Sequence, residues 1–296
     1  MDFYAVTDHA MFMGLVKAGA DTATEFSKLA VSEPLHDINA PDNMNDLSTI
    51  SRGAAFASFV PGVLAGFADG SIDPALAESI TKSAWLDTIE AAEQYNRPGR
   101  FTTFAAFEYT SSSDDRGNLH RNVIFNNSER LPAVPFSRLH SQNPEGLWDW
   151  MDNLREQGIE SLAIPHNSNI SKGTMFSDTS LRGKPFTREY VALRSKWEHI
   201  AEITQIKGDS ESHSTFSPED EFTDFEVYPY YIQRYWTPYE PQRGDFVREA
   251  LKRGLELEQQ LGQNPYTLGV IGSTDSHTSL SSAEENNFHG KLATDS

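Results

Sequence analysis

Cysteine is absent from the 296-residue chain. That removes disulfides, thiolate nucleophiles, iron–sulfur ligation and Cys-based structural zinc sites together. It does not assign a compartment, because a large core needs no disulfide in a reducing or an oxidising setting. Any metal must be held by histidine and carboxylate, a donor set suited to zinc, manganese or iron rather than copper(I). Basic residues are also scarce, 24 against 43 acidic ones, for a formal net charge of −19. Such a field repels nucleic acid and anionic membrane, so neither is expected as a partner. An acidic substrate stays compatible if cations mask the pocket, since bound metals can be the largest local charges. The plainer meaning of the charge is solubility.

Long apolar runs are missing as well. None approaches the roughly 18–20 residues of a membrane helix, and the start, Met1-Asp2-Phe3-Tyr4, lacks the basic and apolar regions of a signal peptide. A strand begins almost at once, which predicts that residues are missing upstream. Local catalytic motifs are absent too: there is no H-E-x-x-H, G-x-S-x-G, P-loop or EF-hand loop.

What is present is a core-forming composition, 38% apolar and 11% aromatic, arranged as short strands alternating with helical patterns. Strands are expected at 3–7, 101–107, 121–126, 161–165, 200–206 and 267–272. Helical spacing covers 10–30, 74–94, 144–157 and 242–261, with Asp73 and Pro74 as a helix start and Gly158 and Gly262 as stops. Such alternation argues for parallel βα units, an α/β barrel or a doubly wound sheet, with the barrel preferred. Residues 32–73 and 207–242 break the pattern and read as insertions in one domain spanning 1–296.

Six potential metal ligands sit at the edges of these strands. His9 follows Phe3-Tyr4-Ala5-Val6, Glu108 closes Phe104-Ala105-Ala106-Phe107, and His166 closes Leu162-Ala163-Ile164. Asp275 and His277 follow Leu268-Gly269-Val270-Ile271. His120 is the exception, opening the run Asn122-Val123-Ile124-Phe125. Burying so many polar groups uncompensated is costly, and a metal satisfies them together. In extended chain Asp275 and His277 share a side. Alternatives stay open: an Asp–His turn for that pair, a Glu108–Arg121 ion pair, and an Asn/Ser loop around Asn167 and Asn169. His36, His140, His199, His213 and His289 lack the strand-edge setting; the first three read as structural or surface residues, and His213 as an exposed loop histidine, with a place at a pocket mouth as the alternative.

Read in order, these stretches resemble the PHP (polymerase and histidinol phosphatase) superfamily of metal-dependent hydrolases, most closely the DUF3604 family. They are Asp2-Phe3-Tyr4-Ala5-Val6-Thr7-Asp8-His9, Phe107-Glu108-Tyr109-Thr110, Gly117-Asn118-Leu119-His120-Arg121-Asn122, Ala163-Ile164-Pro165-His166-Asn167, Gln205 to Glu211, and Gly272-Ser273-Thr274-Asp275-Ser276-His277. The resemblance implies a distorted, TIM-like (β/α)7 barrel of PHP type holding up to three metals. It implies Glu108 as the bridging carboxylate, His120 and His166 as its partners on one metal, Asp275 on a neighbouring metal, and His9 and His277 on a third. The superfamily's opening His-x-His strand has no counterpart here. The barrel is therefore expected to lack its first strand, and the chain is expected to be a fragment at both ends whose complete corner is Glu108, His120 and His166.

The function expected is a metal-dependent hydrolase acting on a small-molecule ester or phosphoester with divalent zinc, manganese or iron. Bound cations would activate a water and clamp substrate oxygens. Asp8 or Asp275 would accept the proton, while Arg121, Asn167 and Lys207 would contact the substrate. Two alternatives remain: a mononuclear iron enzyme using two histidines and a carboxylate, and a non-catalytic sugar-binding protein built on Tyr228, Tyr230, Tyr231 and Trp236. The resemblance also makes export an expectation.

Overall fold

A computed structural model describes residues 3–38, 40–43, 48–232, 237–277 and 286. Among the described residues it contains nine strands, six α-helices and several short 3-10 turns. β1 (Tyr4–Val6), β2 (Thr103–Tyr109), β5 (Arg121–Phe125) and β6 (Ser161–Pro165) form one sheet in the order β1-β2-β5-β6. β8 (Gly208–Asp209), β7 (Ile200–Gln205) and β9 (Gly269–Gly272) form a second, and β3 (Ser112–Ser113) with β4 (Gly117–Asn118) a small third.

The TIM-like (β/α)7 barrel is not what forms. β1 and β2 are parallel, but β5 runs antiparallel to both β2 and β6, and the sheets of four, two and three strands do not close on one another. The physical reason lies in the connection after β2. A parallel neighbour needs a crossover of a dozen or more residues, usually helical; the link from β2 to β5 instead carries the β3–β4 hairpin, and the chain returns beside β2 in the opposite sense. A mixed α/β arrangement replaces the barrel, with or without a first strand.

Two apolar layers explain why β2 reads as an unbroken apolar run, as strands buried on both faces do. On one face Phe107, Val123, Phe125 and Ala163 pack with Trp85 of α3 (Pro74–Tyr95), Trp148 and Met151 of α4 (Pro144–Glu156) and Trp197 of α5 (Arg188–Trp197). On the other, Ala106, Ile124 and Ile164 meet Phe3, Ala5, Ile200 and Ile271, so this interior is shared between the two larger sheets. A further cluster gathers α5 and α6 (Val247–Leu261) on Ala201 of β7.

Helix ends follow the residues expected to make them. Asp73 caps α3 by accepting from the Ala75 amide at 2.9 Å, and Gly262 ends α6 at φ 75°. Between α1 (Leu15–Ala20) and α3 lies a helix that the sequence pattern did not single out, α2 (Ser48–Asp69). Its Ala55, Phe59 and Val63, spaced by four, pack on Leu15, Phe26 and Leu35. The stretch Ile50–Asp69 is long and apolar enough to cross a membrane by length and composition, contrary to the expectation that no segment is. Arg52 and scattered Ser and Gly break its apolar run.

Candidate metal centre

The antiparallel course of β5 brings the ligand candidates together. β2 and β6 end where β5 begins: Tyr109 is paired with Arg121, and Arg121 with Pro165. Glu108, His120 and His166 therefore fall at one end of the sheet, and the His166 amide donates to the His120 carbonyl at 3.3 Å. His120 opens a run instead of closing one because its strand is reversed. β1 continues toward the same place, with the Glu108 amide donating to the Asp8 carbonyl at 2.9 Å and the Ala10 amide to the Glu108 carbonyl at 3.0 Å. Glu108 and His166 each lie two residues beyond a member of the shared inter-sheet cluster, Ala106 and Ile164, so strand alternation turns both toward that interior.

Glu108 is the hub. Its Oε1 lies 2.9 Å from His120 Nδ1 and 3.0 Å from His9 Nδ1, and its Oε2 lies 3.5 Å from His166 Nε2. One ligand atom from each of Glu108, His120 and His166 lies within 4.8 Å of the other two, and all three residues are buried. Both ring nitrogens of His166 are buried without a hydrogen-bond partner among the described residues. Two neighbours went unnoticed in the sequence. Thr110 donates to Glu108 Oε1 at 2.6 Å and accepts from His9 Nδ1 at 2.6 Å. The Ser112 hydroxyl meets His120 Nε2 at 2.6 Å. Both follow Glu108 in the polar run Thr110 to Ser113: Thr110 reaches it two residues along the chain, and the return of the chain into β5 brings His120 to Ser112.

The charges favour ligation. Burial works to raise the Glu108 pKa, but His9, His120 and His166 outweigh it and hold the carboxyl well below its usual range. Burial pushes His120 down to about 4, overcoming the pull of Glu108, so its imidazole is neutral at pH 7. Burial opposes protonation of His9 also, yet there Glu108 prevails and the pKa rises. An ionised carboxylate, a neutral imidazole and a histidine with orphaned nitrogens form a donor set that could hold a metal ion. A neighbouring cation would also satisfy one of the two orphaned His166 nitrogens, which otherwise carry a desolvation penalty.

The remaining candidates stand at varying distances. His277 stacks obliquely against His9, ring centroids 5.6 Å apart. Asp275 lies beyond β9 at φ 48°, so it is presented by a left-handed turn and not by an extended strand. Its Oδ2 accepts from Gln205 Nε2 at 2.8 Å and is ion-paired with Lys207, whose side chain is buried. Asn167, also left-handed at φ 55°, receives a hydrogen bond from Gln205. Asp8 is exposed at the rim, and desolvation together with Glu108 raises its pKa against the pull of His9 and His277.

Arg121 is placed elsewhere. Its guanidinium is buried, 2.8 Å from Glu198 and 2.7 Å from the Leu119 carbonyl, so it serves neither Glu108 nor the centre. Tyr231 packs on Tyr239, whose hydroxyl donates to the Asn169 carbonyl at 2.9 Å, and Tyr228 packs on Tyr230, while Trp236 and His289 lie outside the described residues. An apolar cavity of about 420 Å³ lies between α3 and β1, lined by Tyr4, Val6, Tyr95 and Phe101, and shares no residue with the centre.

A family model described as "Protein of unknown function (DUF3604)" matches residues 1–296. No curated relative and no solved structure matches the chain.

Proposed function

The chain belongs to the DUF3604 family, and from that premise and the geometry of its buried centre we propose that it is a metal-dependent hydrolase of ester or phosphoester bonds, akin to the PHP hydrolases. The observation that carries this reading is the buried Glu108, His120 and His166 group, in which His166 has no hydrogen-bond partner among the described residues for either ring nitrogen. These three residues would hold a divalent zinc, manganese or iron ion. Such an ion supplies Lewis acidity toward a water and toward the oxygens of an ester.

The chain's own residues supply the rest. Asp8, at the exposed rim with its pKa raised by burial, is suited to take a proton. Lys207 and the side-chain amide of Asn167, which is buried without an acceptor, are suited to anionic substrate oxygens. Asp275 tethers Lys207 beside them, and His9, Asp275 and His277 are the groups from which further cations would be held. Arg121 is left out because Glu198 engages it.

Hydrolysis of an aryl phosphate by the full chain, with added manganese or zinc, tests the reading. Turnover that a chelator abolishes and metal restores supports it; no chelator-sensitive turnover on phosphate or carboxylate esters contradicts it. One observation favours a second reading: two histidines and one carboxylate is also the donor set of mononuclear iron oxygenases. Oxygen consumption coupled to a single bound iron would replace the hydrolase reading.

A further inference from the structure

One buried carboxylate beside the centre is unused by that reading. Glu202 lies within β7 and is 1% exposed. Ile200, two residues earlier, packs in the inter-sheet cluster with Ala106 and Ile164. Alternation along β7 therefore turns Glu202 into the same interior that Glu108 and His166 reach from the other sheet. The Ser273 hydroxyl donates to Glu202 Oε2, while Glu202 Oε1 is buried with no hydrogen-bond partner among the described residues. A bond from Gln205 to Asn167 ties β7 to the residue that follows His166.

His166 has the complementary deficit. Its Nε2 faces Glu108, and its Nδ1 is buried and unpartnered. Burial raises the Glu202 pKa, and the nearby His166 counters it. Leaving a buried donor and a nearby buried acceptor both unpaired is unfavourable. A histidine that ligates through one ring nitrogen almost always donates from the other to a carboxylate, carbonyl or water.

We propose that Glu202 is the positioning carboxylate of His166. Glu202 Oε1 accepts the Nδ1–H of the imidazole through one buried water, while Ser273 holds Oε2. That contact fixes the tautomer with a lone pair on Nε2, aimed at Glu108 and at the cation between them. The proposal rests on the reading of Glu108, His120 and His166 as cation ligands.

Two measurements on the full chain test it: the His166 tautomer in metal-free protein, by long-range ¹H–¹⁵N NMR, and Zn²⁺ affinity, by competition with a chromophoric chelator. In the wild type, His166 is expected to carry its proton on Nδ1. Glu202→Ala is expected to give a mixture of tautomers and to weaken Zn²⁺ binding about 10–100-fold. Glu202→Gln, which keeps an acceptor oxygen, is expected to fall between the two. A purely structural role would lower the melting temperature and leave tautomer and affinity in place. The proposal is overturned by an Nε2–H tautomer in the wild type, or by Zn²⁺ affinity within twofold of wild type in Glu202→Ala. Should neither variant fold, the wild-type tautomer decides. Should the wild type bind neither Zn²⁺ nor Mn²⁺, the hydrolase reading fails, and the tautomer in metal-free protein still decides the role of Glu202.

Discussion

Glu108 is the penultimate residue of β2 and His120 precedes the antiparallel β5, and that reversal sets their Oε1 and Nδ1 atoms 2.9 Å apart. With β5 parallel to β2, His120 would start at the far end of the sheet, a strand length away. The candidate centre is thus a product of the same turn that breaks the barrel pattern.

Thr110 bridges Glu108 and His9 through one hydroxyl. Thr110→Val keeps the shape and removes both bonds. We expect Zn²⁺ affinity to fall roughly tenfold, as for other partners of ligating groups, with circular dichroism unchanged. Unaltered affinity in a calorimetric titration would remove Thr110 from the centre.

Lys207 is buried in an ion pair with Asp275. If it binds the anionic part of the substrate, Lys207→Met raises KM for an aryl phosphate roughly tenfold or more while kcat changes less, the signature of lost uniform binding. A KM equal to wild type would reassign Lys207 to structure.

Glu198 is a buried hub for Arg121 at 2.8 Å, Arg194 at 2.9 Å and the Trp148 indole at 3.1 Å. Removing it strands two buried guanidinium groups, so Glu198→Ala should lower stability by about 3–5 kcal/mol. Burial pushes its pKa up, but Arg121 and Arg194 prevail and hold it below the ordinary 4.5. Its contribution is therefore complete above pH 4.5 and is lost as pH falls through the depressed folded value. Urea midpoints between neutral and acid pH should show this loss in the wild type and a shallower one in Glu198→Gln.

Asp245 carries the opposite sign. It accepts from the Ser171 hydroxyl at 2.8 Å and from the amides of Gly173 at 2.6 Å and Gln242 at 2.7 Å, yet burial pushes its pKa up from 3.8 to about 7. Between those values the folded chain binds more protons than the unfolded one, so stability falls as pH rises through that window. Relative to Asp245→Asn, the wild-type urea midpoint should decline from pH 4 toward pH 7. A constant difference would show that the three accepted bonds keep Asp245 ionised throughout.

Much of the secondary structure was legible. Apolar runs marked β1, β2, β5, β6, β7 and β9 to within a few residues; for β2, β5 and β6 the reason is burial on both faces. Asp73-Pro74 and Gly262 marked helix ends because their backbone chemistry is local. Strand direction was not legible. Nothing in Asn122-Val123-Ile124-Phe125 records whether it lies parallel or antiparallel to β2; that depends on the β3–β4 hairpin, whose strands of two residues are too short to register as a pattern. α2 stayed hidden because its Gly, Ser and Pro residues resemble loop punctuation, although Ala55, Phe59 and Val63 keep helical spacing.

The site was legible in the same uneven way. Glu108, His120 and His166 stand out because polar groups flanking apolar strands demand an explanation. Arg121 looked equally available and was claimed by Glu198, more than 70 residues away, a pairing that only the fold specifies. Glu202 sits inside β7 as Glu108 does near the end of β2, but its position within the strand, not at its edge, kept it out of the ligand pattern.

The account depends most on whether the buried centre holds a divalent cation. Calorimetric titration of chelator-treated full chain with Zn²⁺ and Mn²⁺, wild type beside Glu108→Gln and His166→Ala, tests this directly. The account predicts saturable binding of at least one ion by the wild type, and affinity about 100-fold weaker or undetectable in both variants, in line with losing one of three protein ligands. Absence of binding by the wild type, or equal affinity in the variants, would contradict it.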